Sequence, residues 1–200
     1  MKLVKKQTQK GFALLLALIV SSVVLAIGVS ILNISINQIN LSATARESEF
    51  AFQAAHAGID CLWYWRYEDA SAFKNSSLSA APASLRCFDV PSNPVVATQY
   101  QLNANGHVNS YSYQFDWGEA NNPNYPQRCT KATLYVMNAS TGDLTHDFSP
   151  INPGVGDASG MKTCELGNLC TVIISSGYNR ACNQIDSSIF SIQREIVVEF

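Results

Sequence analysis

A run without charge near the N-terminus limits this chain more than any other feature. After Lys2, Lys5, Lys6 and Lys10, no Asp, Glu, Lys or Arg occurs from Gly11 until Arg46. Within that run Phe12 to Leu32 (FALLLALIVSSVVLAIGVSIL) is almost wholly apolar, about the length of a helix that crosses a ~30 Å hydrocarbon layer. Lysines before it, and no basic residue after it until Arg46, predict a cytoplasmic N-terminus by the positive-inside rule, with the C-terminal bulk exported. No proline interrupts residues 1–81, so one helix from Phe12 to Arg66 is allowed. At 1.5 Å per residue it would be roughly 80 Å long, too long for a small globular core.

The helix changes character along its length. Ile31, Leu32, Ile34, Ile36, Ile39 and Leu41 alternate with Asn33, Ser35, Asn37, Gln38, Asn40 and Ser42, neutral polar groups suited to water or to a shared protein interior. From Arg46 to Arg66, a 3.6-residue period places Glu49, Gln53, His56 and Asp60 on one narrow stripe. Nearly everything else is small or apolar (Phe50, Ala51, Phe52, Ala54, Ala55, Ala57, Gly58, Ile59, Cys61, Leu62, Trp65) and predicts burial on two sides. The aromatic group Trp63, Tyr64, Trp65 and Tyr67 reads first as a seam between helix and sheet, and second as a ligand platform.

Beyond Tyr67 the texture is that of loops and strands. Ser, Asn, Ala and Pro dominate 70–94, with Pro91 and Pro94 at its end. Tyr111, Tyr113, Phe115 and Trp117 alternate as in a strand with one apolar face, and 131–137 and 171–175 read as further strands. The final segment has Phe190, Ile192, Ile196, Val198 and Phe200 on one face and Ser191, Gln193, Glu195 and Glu199 on the other. Turns are predicted at 120–125 and 149–160. The expected fold is therefore α+β: a long N-terminal helix, apolar in its first half, whose distal half packs on an antiparallel sheet.

Composition closes off several functions. A net charge of −2 with 14% charged residues gives no case for nucleic-acid binding, which requires clustered Lys and Arg. Hydrophobic content of 47% excludes intrinsic disorder. All six cysteines lie beyond the apolar run, and no C-x-x-C pair exists, so disulfides in an oxidising compartment are expected rather than a metal site. Six cysteines allow fifteen pairings. Cys61 ends the helix and the next loop returns Cys87, and Cys164–Cys170 closes a short turn, which leaves Cys129–Cys182.

Catalytic constellations are sparse. His56 lies on the wet stripe, and His107 and His146 fall in polar, turn-like segments. Ser-x-x-Lys occurs at Ser71–Lys74 and Ser159–Lys162 without companion motifs, and neither G-x-S-x-G nor H-E-x-x-H is present. Asp143, Asp147 and Asp157 read as solvated turn acids rather than calcium ligands, since no EF-hand loop occurs. No enzymatic activity, cofactor or metal is expected.

Lys10–Gly11–Phe12 followed by the apolar run resembles a class III prepilin signal. Ala51–Ile59 (AFQAAHAGI) is similar to the helix continuation of minor pilins of the PilX type, and Ser175–Tyr178 (SSGY) before a final strand resembles their closing region. The resemblance covers residues 5–66 well and implies leader cleavage after Gly11 with N-methylation of Phe12. In most pilins the fifth mature residue is Glu, but here it is Leu16. That departure from Glu is known for some minor pilins and for the K-type pseudopilins of type II secretion, which are associated with filament tips. The PilX-like segment usually carries an acid where this chain has His56. The resemblance implies a leader (1–11), a membrane or filament-core half of the helix (12–45), an amphipathic half (46–66) and a disulfide-bonded head (67–200). It implies a structural, tip-proximal minor pilin that initiates assembly. Its partners would be other pilins through the helix, prepilin peptidase, and the inner membrane before assembly into an extracellular pilus. The alternatives are a K-type pseudopilin of a periplasmic pseudopilus, for which 200 residues leave little room for the usual inserted domain, and a pilus-borne adhesion subunit.

Overall fold

The computed structural model describes residues 10–68, 73, 85–87, 90–92, 94–103, 106–118 and 126–200. The chain divides into two compact units, Met1–Arg46 and Glu47–Phe200. Helix α1, Lys10–Glu68, contributes its first part to one and its second part to the other.

In the N-terminal unit α1 is helical throughout its described length. Leu, Ala and Ile supply helix propensity, and the hydroxyls do not compete with the backbone ladder. Ser21 and Ser22 donate to the carbonyls of Leu18 (3.0 Å) and Ile19 (2.8 Å), and Thr44 to that of Asn40 (3.0 Å). Every described side chain from Phe12 to Arg46 is exposed.

The C-terminal unit is a helix laid on a sheet. β3 (Pro94–Asn103), β4 (Gly106–Trp117), β5 (Arg128–Ala139), β8 (Leu169–Tyr178) and β9 (Gln193–Glu199) form an antiparallel sheet in the order β3-β4-β5-β8-β9. β1 (Leu85–Cys87) and β2 (Val90–Ser92) form a small hairpin, and β6 (Leu144–Asp147) pairs with β7 (Met161–Cys164) in an excursion between β5 and β8. The sheet is covered on both faces. Ile59 and Leu62 of α1 pack with Tyr111, Tyr113, Leu134, Val136 and Ile173 on one side. Val108, Tyr135, Met137, Val172 and Ile174 pack with Leu144, Phe148 and Val155 on the other. Central strands buried on both faces read as apolar runs, as LYVM and TVII do here.

The helix sits close because its inner face is small. Ala51, Ala54, Ala55 and Gly58 are buried. A Cβ at Gly58 would collide with Ser175 and Thr130, and one at Gly177 with the backbone of Ala51 and Ala55. Thr130 Oγ1 donates 2.7 Å to the carbonyl of Ala54 in this dry contact. At the start of this part of the helix, Glu47 accepts from Asn179 (2.9 Å) and Ser48 from Arg194 (2.7 Å).

The structure corrects several expectations. The segment 70–94, where the sequence pattern singles out no strand, contains the β1–β2 hairpin, and Pro94 opens β3. The last strand begins at Gln193. Phe190 lies outside it and is 71% exposed, because Asn179 clamps the preceding turn by accepting from Ile192 N–H and donating to the Phe190 carbonyl. His107 and His146 lie in β4 and β6 rather than in turns. The turn at 149–160 is present. Lys2, Lys5 and Lys6, the Ser71–Lys74 pair and the turn predicted at 120–125 lie outside the described residues.

Three disulfides, Cys61–Cys87, Cys129–Cys182 and Cys164–Cys170, join residues 26, 53 and 6 apart, the same three pairs that the spacing favours. The chain-entropy model gives them about 3.5, about 4 and about 2 kcal/mol. Replacing both cysteines of a pair by Ala should therefore destabilise the head most for Cys129–Cys182 and least for Cys164–Cys170, as read by denaturant midpoints. Gly177→Ala forces backbone apart at the helix contact and should cost about 1–3 kcal/mol, the usual range for overpacking. An unchanged midpoint for Gly177→Ala would show that the helix can withdraw without loss.

Candidate functional site

In the N-terminal unit the candidate site is the surface of α1 itself. Eighteen large apolar side chains, from Phe12 to Leu41, lie exposed along it, far more contiguous apolar surface than a soluble monomer leaves in water. An 18-residue window of this helix has a mean hydropathy of 2.8, and the helix is long and apolar enough to cross a membrane. Gly11, Phe12 and Leu16 all lie on its first turns, with Phe12 and Leu16 exposed.

In the C-terminal unit Glu49, Gln53, His56 and Asp60 lie exposed in one line, as the periodicity predicts. With Phe52 and Ala57 of α1 and Trp117 of β4 they line an open groove of about 510 Å³. Arg128 of β5 stacks 3.8 Å above the centroid of Phe50 and lies 5.2 Å from that of Trp117, so aromatic faces hold a cation beside the groove. Phe52, expected inside, is exposed and packs edge-on against His56 at 5.1 Å. Nothing in the sequence pattern pointed to Trp117 as a groove wall, because its strand partners lie far along the chain.

The aromatic group divides. Trp65 alone forms the seam: it packs against the helix-side core and the Cys61–Cys87 cluster, and its indole N–H donates 3.2 Å to the Arg86 carbonyl. Trp63, Tyr64 and Tyr67 face outward, Tyr67 at 74% exposure. Trp63 lies nearly parallel to Tyr67 at 6.5 Å and contacts Phe200 at 4.6 Å. A helix can turn only one of four nearly consecutive aromatics squarely onto a sheet, which is why a single seam failed as a reading. Arg66, half-buried, reaches Thr171 on β8 at 3.1 Å.

The turn acids do not converge. Asp157 accepts from Ser159 Oγ (2.6 Å), Ser159 N–H (2.9 Å) and Met161 N–H (3.0 Å). The Ser159 side chain and these amides hold its carboxyl below the ordinary value. Asp147 is held down likewise by Ser149, and Asp143 accepts from Leu166 N–H at 2.9 Å. Their oxygens brace turns. Asp116, Cys129 and Cys182 form the one cluster with metal-ligand spacing among the described residues. Its two sulfurs are a disulfide and Asp116 accepts from the Cys182 N–H at 2.6 Å, so the cluster serves structure.

His146 departs furthest from its expected place. It is 6% exposed, between Phe148 (4.6 Å) and Tyr100 (5.4 Å), and neither ring nitrogen has a hydrogen-bond partner. Burial lowers its pKa below 6.5, against the opposing charge of Asp147. No family model, no curated protein and no solved structure matches this chain.

The His146 environment gives a pH dependence. The folded state holds a neutral ring while the unfolded chain protonates near 6.5. Its contribution is therefore complete above pH ~6.5 and is lost as pH falls toward the lowered folded value. Urea unfolding of the full-length protein in detergent should show stability declining from pH 7 to pH 5, and His146→Phe should flatten that decline. An equal slope in His146→Phe would assign the effect elsewhere.

Proposed function

We propose that this chain is a minor pilin, a structural subunit of a type IV pilus or related filament. The observation that carries the reading is the continuity of α1. One helix, Lys10–Glu68, provides the membrane-competent apolar segment and also the spine on which the C-terminal sheet is built. An ordinary secretory signal is cut after its apolar segment and discarded, and a plain anchor has no need to run unbroken into the core of a head. Prepilin processing keeps that segment, because the cut falls before it, between Gly11 and Phe12.

Assembly then follows from the chemistry of α1. In the inner membrane its apolar side chains face lipid. In a filament they face equivalent helices, so extraction does not transfer them to water. Asn33, Asn37 and Asn40 follow the apolar run and can exchange hydrogen bonds between neighbouring helices. Leu16 supports a place near the tip. A carboxylate at membrane depth costs roughly 2.5–3.5 kcal/mol on insertion scales, and a subunit that begins a filament has no neighbour above it whose amine could offset that cost. Leu16 also suits the tip pseudopilin of a type II secretion system.

Mass spectrometry of the mature protein should find N-methylated Phe12 as its first residue, and Gly11→Ala should hamper cleavage. A mature N-terminus at Val29, or an intact Met1, would remove the prepilin reading. For the tip position, Leu16→Glu should bring no gain in incorporation, and immunogold label should appear in a few copies per filament. Label spread evenly along the shaft, with better incorporation of Leu16→Glu, would move the subunit into the filament body.

A further inference from the structure

The two edges of the main sheet are unlike. β3 opens on Pro94 and its pairing with β4 shifts register twice, between Pro94 and Val96 and between Gln101 and Asn103. Prolines and irregular pairing are the usual ways of blunting an edge against other strands. β9 has no proline, and its seven residues pair with β8 without a register shift.

The ladder also fixes which groups of β9 are unused. Thr171 and Phe200 exchange both backbone bonds (2.7 and 3.0 Å), and Asn179 N–H reaches the Ile192 carbonyl at 3.3 Å. In an antiparallel pair such exchanges recur at every second residue. Arg194, Ile196, Val198 and Phe200 therefore point their backbone groups at β8. The N–H and C=O groups of Gln193, Glu195, Val197 and Glu199 point away, with no backbone partner among the described residues.

β9 nevertheless has the side-chain pattern of an interior strand. Ile196 and Val198 pack into the helix-side cluster and Val197 into the opposite one, yet all three remain only half-buried. Exposed apolar groups lie next to both ends: Trp63 against Phe200, and Ile189 and Phe190 just before the strand. Charge selects among possible partners. Glu199 already has Lys162 at 2.6 Å. Among the described residues Glu195 accepts from neutral groups, Ser176 Oγ and the Asn152 amide, and makes no ion pair, which leaves a negative charge beside the edge.

We infer that the open edge of β9 is a docking site for an extended segment of another polypeptide. That segment has three successive apolar residues against Ile196–Val198 and a Lys or Arg opposite Glu195. It would add a sixth strand to the sheet, with main-chain bonds supplying affinity and the basic residue supplying register. A second copy of β9 fits poorly, because laying one apolar triplet on the other sets Glu195 against Glu199. The inference rests on the sheet alone and stands whether or not the chain is a pilin.

The probe is a fluorescent peptide, Ser-Gln-Val-Ile-Val-Lys-Ser, whose Lys falls opposite Glu195 when Val-Ile-Val lies antiparallel on Ile196–Val198, titrated by anisotropy against the full-length protein in detergent micelles. Saturable binding is expected, weakened at least about tenfold, or ~1.4 kcal/mol, when Glu replaces Lys in the peptide. Hydrogen exchange at the Glu195, Val197 and Glu199 amides should slow in the complex. Val197→Pro removes one outward N–H while leaving the bonds to β8 intact, and should abolish binding. Glu195→Lys leaves the backbone alone and should reverse the preference between the two peptides. Lack of saturable binding would overturn the inference, as would equal binding by both variants. Self-association that Val197→Pro abolishes would also overturn it, by giving the edge to a second copy.

Discussion

The contact between the small face of α1 and Gly177 determines much of the C-terminal unit. Ala51, Ala54, Ala55 and Gly58 let the helix backbone approach β5 and β8 so closely that Thr130 reaches the Ala54 carbonyl. At that separation Ile59 and Leu62 can enter the layer formed by Tyr111, Tyr113, Leu134 and Ile173. Larger residues would lift the helix and open voids beneath those rings, and interiors tolerate voids poorly.

With one face of the sheet under a helix, the other needs its own cover, which the excursion between β5 and β8 supplies. Leu144, Phe148 and Val155 close that face, while Lys162, Gly156 and Asn152 bind Glu199 and Glu195 of β9. Burial holds Glu199 toward the neutral form, but Lys162 and the Gly156 N–H outweigh it and lower its pKa. The turn-rich stretch 149–160 is thus a lid on the sheet, braced internally by Asp147 and Asp157.

Local pattern made the helix, its wet stripe and four of the five main strands legible, because each follows a period of 3.6 or 2 over many residues. β3 escaped because Pro94 and polar residues disguise an edge strand. His146 escaped because a polar neighbourhood in sequence, TGDLTHD, becomes an aromatic cage only once Tyr100 and Phe148 arrive from elsewhere. The pairing of cysteines followed loop lengths, whereas the groove wall at Trp117 and the open edge of β9 depend on strand order, which no local signal encodes.

The unbroken path of α1 has a mechanical consequence. A pull applied at Glu47 along the axis of this part of the helix first loads the hydrogen bonds of Glu47 to Asn179 and Ser48 to Arg194. The load then spreads over the small-residue face, where it acts in shear on many contacts at once. Fifteen residues beyond Arg46 the chain meets Cys61, whose bond to Cys87 passes the remaining tension covalently to β1. Within the C-terminal unit, load on the helix is thus shared by many non-covalent contacts before it reaches a covalent rivet.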